Sequence, residues 1–345
     1  MKKIIILFFI LPFLAFAQQK NNYKVAVIAF YNLENLYDTI DNPAVNDDEF
    51  TPNGPRNYNS EIYWNKIDKL ANVLSQLGTD ASPDGAAIVG VAEIENDTVL
   101  NDLIKHPLIK ARNYQFVHYD SKDARGVDVA LLYNPKYFTP LESKALFVAL
   151  PSGSKDSYYT RDVLWVKGNF DGEPIHVLVN HWPSRVGGEE RSAPGRAAAA
   201  AVCKAQIAKI TQTEPNAKFV IMGDLNDDPT SPSITKVLNA KGRMEDVNPG
   251  GIFNPWTSLY KKGIGTLGYQ DAWSLFDQIM ITYPWLSKDQ NGYFFYRQHI
   301  FNKEFLVENI GKFKGYPMRT WDGLTYRGGY SDHFPTYLMM VKKIN

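Results

Sequence analysis

One cysteine, Cys203, is all that 345 residues contain, so no disulfide can form within the chain and packing alone must hold the fold. Its surroundings, AAAAAVCK, make burial inside an Ala-rich helix the reading for that thiol. Charge of one sign is missing too, with 37 Lys plus Arg against 37 Asp plus Glu. A neutral chain has no general attraction for polyanions, so a phosphate-rich ligand must be gripped by a local basic patch or through a metal. Also absent are a Ser-His-Asp motif, short-period repeats and low-complexity linkers, and GIGTLG at 263–268, which has GxGxxG spacing, neither follows a strand-length apolar run nor opens a helical pattern, so no nucleotide-binding glycine loop competes.

Long apolar runs are confined to the start, MKKIIILFFILPFLAFA, where Lys2 and Lys3 precede a continuous apolar stretch ending small-x-small at Ala15 and Ala17. It is shorter than the ~20 residues that span a bilayer, so it reads as a signal peptide over 1–17 rather than an anchor. Cleavage would leave Gln18 first, with no cysteine there to carry a lipid. The expectation is a mature chain, 18–345, that is soluble in the periplasm or outside the cell, without a stable membrane anchor. No protein partner is inferred.

A chain with 44% hydrophobic and 21% charged residues overall suits one large α/β domain, placed at 18–345. Strand-length apolar runs are predicted at 24–30, 86–92, 114–119, 127–133, 163–168, 175–180, 219–223, 276–281 and 336–341, and helices at 60–77 and 195–211. The middle strands have no helices between them, which argues against a purely parallel doubly wound sheet. Two packed mixed β-sheets flanked by helices, a four-layer α/β sandwich, fit better. The aromatic, Gly-rich stretch 283–330 reads as a long decorated loop.

Polar clusters follow or precede these runs. FYNLEN offers Asn32 and Glu34, VAEIEN offers Glu93 and Glu95, VNHWPSR offers Asn180 and His181, GDLND offers Asp224 and Asn226, and GGYSDHF offers Asp332 and His333. Taken singly, Asn32 is equally a turn residue bonding its own backbone, and either histidine a packing residue. Glu93, directly behind an apolar run, is costly to bury without a partner, so metal ligation is the better reading there. Carboxylates and amides without a cysteine cluster favour a hard divalent ion, Mg²⁺ first and Mn²⁺ or Ca²⁺ next. Such an ion beside carboxylates and imidazoles is what hydrolysis of a phosphate ester requires.

In order and type these motifs resemble the endonuclease/exonuclease/phosphatase superfamily, which includes pancreatic deoxyribonuclease, from Asn32 to His333. YNLENLYD, DARGVDVALLY, NHWPSR and GGYSDH look most like its secreted bacterial nuclease-like members. The resemblance implies that Glu93 is the principal metal ligand, helped by Asn32 and Asp332. It implies that Asp224 orients or deprotonates the attacking water, that Asn226 steadies the phosphate, and that His333 faces the phosphate with Asp277 fixing its tautomer. His181 is similar to the second histidine of the deoxyribonuclease-like members, Asn180 supports the site, and Arg161 matches a phosphate-contacting arginine. A carboxylate partner for His181 is not evident; Asp128 or Asp123 is expected to serve.

The function implied is a secreted, metal-dependent phosphodiesterase, most simply a nuclease acting on DNA or RNA. Arg185, Arg191 and Arg196 either grip phosphate or form a solvated loop and helix start, and the rings of 283–330 either stack bases or pack the loop. The alternative enzyme is a phosphatase or phosphodiesterase for lipid headgroups, inositol phosphates or small phosphoesters. A catalytically dead binding protein on this scaffold should have lost Glu93, Asp224 or His333, and all three are present.

Overall fold

KVAVIAFYNL is apolar at almost every position because both of its faces are covered. Ala26, Ile28 and Phe30 pack into a core between two sheets, whereas Val27, Ala29, Tyr31 and Leu33 pack outward. The computed structural model describes residues 22–151, 159–288 and 292–344; the expected signal peptide lies outside them. In chain order the strands are β1 (Asn22–Leu36), β2 (Ile88–Ile94), β3 (Gln115–His118), β4 (Asp128–Tyr133), β5 (Phe138–Leu146), β6 (Val163–Phe170), β7 (Glu173–His181), β8 (Lys218–Asp224), β9 (Ile252–Phe253), β10 (Leu267–Tyr269), β11 (Ala272–Ser274), β12 (Asp277–Thr282), β13 (Phe294–Ile300), β14 (Trp321–Asp322), β15 (Thr325–Tyr326) and β16 (Thr336–Ile344). The main helices are α1 (Ser60–Gln76), α2 (Asp97–Lys105) and α3 (Glu189–Thr211).

Two six-stranded sheets run β13-β16-β1-β2-β4-β3 and β5-β6-β7-β8-β12-β9, with two short ribbons, β10-β11 and β14-β15. Each large sheet is antiparallel except for one central parallel pair, β1 with β2 and β7 with β8. A parallel pair needs a crossover, and α1 and α3 supply it. The strands are buried on both faces and alternate in which core they meet: Val177, Val179, Val220 and Met222 face the first sheet, while Phe219 and Ile221 face α3. Gly90 lies where a Cβ would run into Met222 and Val179 of the opposite sheet, so its missing side chain lets the sheets approach.

Helices begin where capping chemistry allows. Asn59 accepts from Ile62 N ahead of α1, and Asn96 accepts from Thr98 N and Val99 N ahead of α2. α1 buries Tyr63, Lys66, Ile67, Leu70, Val73 and Leu74 along one stripe.

Differences from the sequence reading have local causes. Strand β5 does not read as a strand in the sequence because it is a mostly exposed or half-buried edge segment carrying Pro140 and the polar Glu142, Ser143 and Lys144, and α2 is a short nine-residue helix. The stretch 283–330 is not all loop: FFYRQHI forms β13, which completes the first sheet against β16. Helix α3 begins at Glu189, earlier than expected, and carries Pro194 inside it.

Candidate active site

Alternation along the strands delivers the polar side chains. In the second sheet His181, Asp224 and Asp277 continue the inward faces of Val179, Met222 and Ile279. The ladder pairs His181 with Asp224 and Asp224 with Asp277, so the three stand in a row across neighbouring strands. Asn32 continues the Ala26, Ile28, Phe30 face of β1, and its Nδ2 donates to Asp224 Oδ2 across the sheets at 2.9 Å.

Glu93 arrives differently. Strict alternation would turn it outward with Val89 and Val91, but β2 slips register against β4 between Ala92 and Ile94 and Glu93 takes φ +62°. This one-residue bulge re-aims the carboxylate, so Glu93 Oε1 lies 3.7 Å from His181 Nε2 while Oε2 accepts from Asn35 N. Glu34, Asn35 and Asn226 also sit at positive φ, and such strained backbone concentrates where a site must be held open.

The two imidazoles are set to opposite charge. Burial, reinforced by the Arg161 and Arg125 guanidiniums, pushes His181 well below the usual range, and its Nδ1 is buried without a hydrogen-bond partner. Burial opposes charge on His333 as well, but Asp277 and Asp224 outweigh it and raise its pKa well above the usual value. Asp277 Oδ2 meets His333 Nδ1 at 2.7 Å and also accepts from the Thr266 hydroxyl, which leaves His333 Nε2 facing Asp224 Oδ2 and Asp332 Oδ1, each at 3.9 Å.

Asp224 completes the group, its Oδ1 accepting from Asn226 N. Burial, partly countered by His333 and assisted by Asp277, lifts its carboxyl to about 6. Glu34 is lifted to about 7 by burial and by Asp332, even with the buried Lys66 nearby and the Thr320 and Trp321 amides donating to it. Carboxylates gathered in one buried pocket are costly to leave charged without a counter-ion, and a divalent cation is a group that can supply one. Hard oxygen donors from Glu93, Asp332 and Asn32 fit such an ion.

The structure thus brings together Asn32, Glu93, His181, Asp224, Asp277, Asp332 and His333, and Asn226 joins them through its backbone N–H, its side-chain Nδ2 donating to Trp182 O instead of standing free for a phosphate. It does not place Arg161 and Asn180 as substrate contacts. Arg161 is buried and its guanidinium donates to His181 O, Trp182 O and Asp123 Oδ2, so it braces the backbone behind His181. Asn180 is fully buried, donates to Leu178 O and Met222 O, and accepts from Trp182 Nε1 and Cys203 Sγ. Nor does either expected carboxylate reach His181, for Asp123 is paired with Arg161 and Asp128 accepts from Ser121 N and faces His118. The arginines after His181 are also structural: Arg196 meets Asp227 at 2.7 Å and Arg185 meets Asp228 at 3.1 Å, both holding the loop after Asp224. Arg191 is exposed.

Lys66 was missed by sequence reasoning. It is fully buried behind Glu34 and donates to the Thr320 hydroxyl and Tyr330 O. The signal was available, because Lys66 falls in phase with Tyr63, Ile67 and Leu70 on the apolar stripe of α1.

Comparison with known proteins agrees with this arrangement. A family model described as endonuclease/exonuclease/phosphatase matches residues 27–342. No curated protein matches the chain. Similar solved structures include an endonuclease/exonuclease/phosphatase family protein from Bacteroides thetaiotaomicron, at 14% identity and TM-score 0.58, covering 94% of this chain and 100% of that one. A mannosyl-6-phosphatase from the same species is 15% identical with TM-score 0.54, covering 91% and 99%. TDP2 of D. rerio, complexed with a single-strand DNA product, is 16% identical with TM-score 0.53, covering 92% and 98%. At these identities the likeness establishes the fold.

Proposed function

Since this chain belongs to the endonuclease/exonuclease/phosphatase family and is a phosphoester hydrolase, we propose that it is a secreted nuclease, cleaving nucleic-acid phosphodiesters with Mg²⁺ as its ion. Glu93 would hold that ion, with Asn32 and Asp332 beside it, and the ion would supply charge neutralisation at the phosphoryl oxygens.

The chain's own groups do the rest. Asp224, fixed by Asn32 and the Asn226 amide, takes the proton of a water aimed at phosphorus. His333, held cationic by Asp277, donates from Nε2 to a phosphoryl oxygen as negative charge builds there. His181, kept neutral, suits the Nε2–H tautomer and donates toward the phosphate or the leaving oxygen. As the water oxygen bonds to phosphorus, the bond to the leaving oxygen breaks. The observation that carries this reading is the pair of oppositely tuned imidazoles facing one carboxylate, Asp224, at 3.7 and 3.9 Å.

Support for a nucleic-acid substrate comes from the TDP2 neighbour with its DNA product and from a cation at the rim. Arg319 lies 3.7 Å from Asp332 and stacks over Phe313, where Arg327 and Lys312 also gather. A phosphomonoester reading is favoured by the mannosyl-6-phosphatase neighbour. Of the rings in 283–330, Phe301, Trp321 and Tyr330 are buried, and Tyr283 and Tyr296 are exposed and free to stack on a base.

The test is the chain from residue 18 with single- and double-stranded DNA, RNA, a bis-aryl phosphodiester, an aryl monoester and a sugar phosphate, in Mg²⁺ and in chelator. Diester cleavage that disappears in His333→Ala supports the nuclease; cleavage of monoesters alone replaces it with the phosphatase. Activity that chelator leaves intact overturns both.

A further inference from the structure

Outside the catalytic pocket a second group of ligand-type side chains converges. His118 closes β3, Asp120 follows it and Asp128 opens β4, and one ligand atom from each lies within 4.8 Å of the others. The imidazole is oriented from behind: His118 Nδ1 meets Asp97 Oδ1, in the first turn of α2, at 2.9 Å. A carboxylate on one ring nitrogen is how metal-binding histidines are usually fixed, with the other nitrogen turned to the ion.

That other nitrogen is the telling atom. His118 Nε2 is buried without a hydrogen-bond partner, in a side chain only 3% exposed. It faces Asp128 Oδ2 at 3.7 Å and Asp120 Oδ1 at 3.9 Å, too far for hydrogen bonds. Asp128 Oδ1 accepts from Ser121 N, which leaves Oδ2 as the oxygen turned to the ring. A triangle of atoms this size holds an ion at roughly 2.0–2.5 Å from each.

We propose that His118, Asp120 and Asp128 bind a second divalent cation, with Asp97 positioning the imidazole. One imidazole with two carboxylates suits Zn²⁺ or Mn²⁺, and the exposed side of Asp120 leaves room for water ligands. The ion ties the start of α2 to the β3–β4 connection. That connection carries Asp123, whose partner Arg161 holds the carbonyls of His181 and Trp182. The site thus braces one wall of the pocket without touching substrate.

The test is Zn²⁺ uptake after equilibrium dialysis, with thermal melting, in a Glu93→Gln background that weakens the catalytic centre. Glu93→Gln protein should retain a tightly held equivalent of Zn²⁺ and melt several degrees higher with it. Adding His118→Asn or Asp120→Asn should remove that equivalent and the shift, and Asp97→Asn should weaken binding about ten- to a hundredfold. Uptake unchanged by both ligand substitutions overturns the proposal, as does no uptake in Glu93→Gln itself, which leaves only a protonated histidine among carboxylates. If His118→Asn fails to fold, Asp120→Asn, on a largely exposed side chain, decides.

Discussion

At the scale of the residue, the same side-chain types take opposite properties from their neighbours. His181 and His333 are both deeply buried, yet burial, reinforced by two arginines, discharges the first, while Asp277 and Asp224 charge the second against it. Replacing Asp224 with Asn or His333 with Ala should lower kcat/KM by about 10²–10⁴-fold with circular dichroism unchanged; retained activity in either removes that residue from the chemistry. Asp277 acts through His333, so Asp277→Asn should lower kcat more than it changes KM and should alter the pH profile of kcat/KM. An unchanged profile would make Asp277 merely structural. Cys203 is the contrasting case: burial pushes its thiol up to about 12 and its Sγ donates to Asn180 Oδ1. A neutral, enclosed thiol is a poor nucleophile, so native protein should resist thiol reagents at pH 8 and label only when unfolded. Rapid labelling of native protein would contradict that burial.

Elements decide what each residue can reach, and here sequence reading was least complete. The motif residues themselves were legible, because polar side chains behind apolar runs announce strand ends. Their partners were not. Glu93 needs the bulge in β2 to face the pocket, and a one-residue register slip leaves no mark in an apolar/polar pattern. Arg161 was expected at a phosphate and Asp123 or Asp128 at His181, whereas Arg161 and Asp123 pair with each other, 38 positions apart. Long-range pairing of buried charges is set by how strands stack, which spacing along a chain does not encode. Removing one member of such a pair leaves the other uncompensated, at a cost of about 3–5 kcal/mol. Asp123→Ala should show a loss of that order in urea unfolding; a loss below ~1 kcal/mol would mean that the guanidinium finds water or another partner.

The whole molecule is two sheets whose polar edge is assembled only when both are in place. Sheet order, crossovers and the shared core explain why residues as distant as Asn32 and Asp224 bond directly. The layered α/β class was legible from helices at only some connections, while the edge strands β5 and β13 were obscured by polar or aromatic composition. Close approach of the sheets at Gly90 is part of this geometry. Gly90→Val should therefore destabilise by about 1–3 kcal/mol or more through overpacking, read as a lower melting temperature. An unchanged melt would show that the interface yields. Removal of divalent ions by chelator should abolish hydrolysis and Mg²⁺ should restore it, because the proposed reaction depends on an ion held at Glu93.

The central claim is that water, activated at Asp224, attacks phosphorus, and hydrolysis in H₂¹⁸O reads it most directly. With bis-(p-nitrophenyl) phosphate and Mg²⁺, one ¹⁸O should appear in the phosphoryl product and none in the nitrophenol, with the rate lost in Asp224→Asn. Label in the nitrophenol, no label in the phosphoryl product, or an undiminished rate in the Asp224→Asn protein would contradict the account.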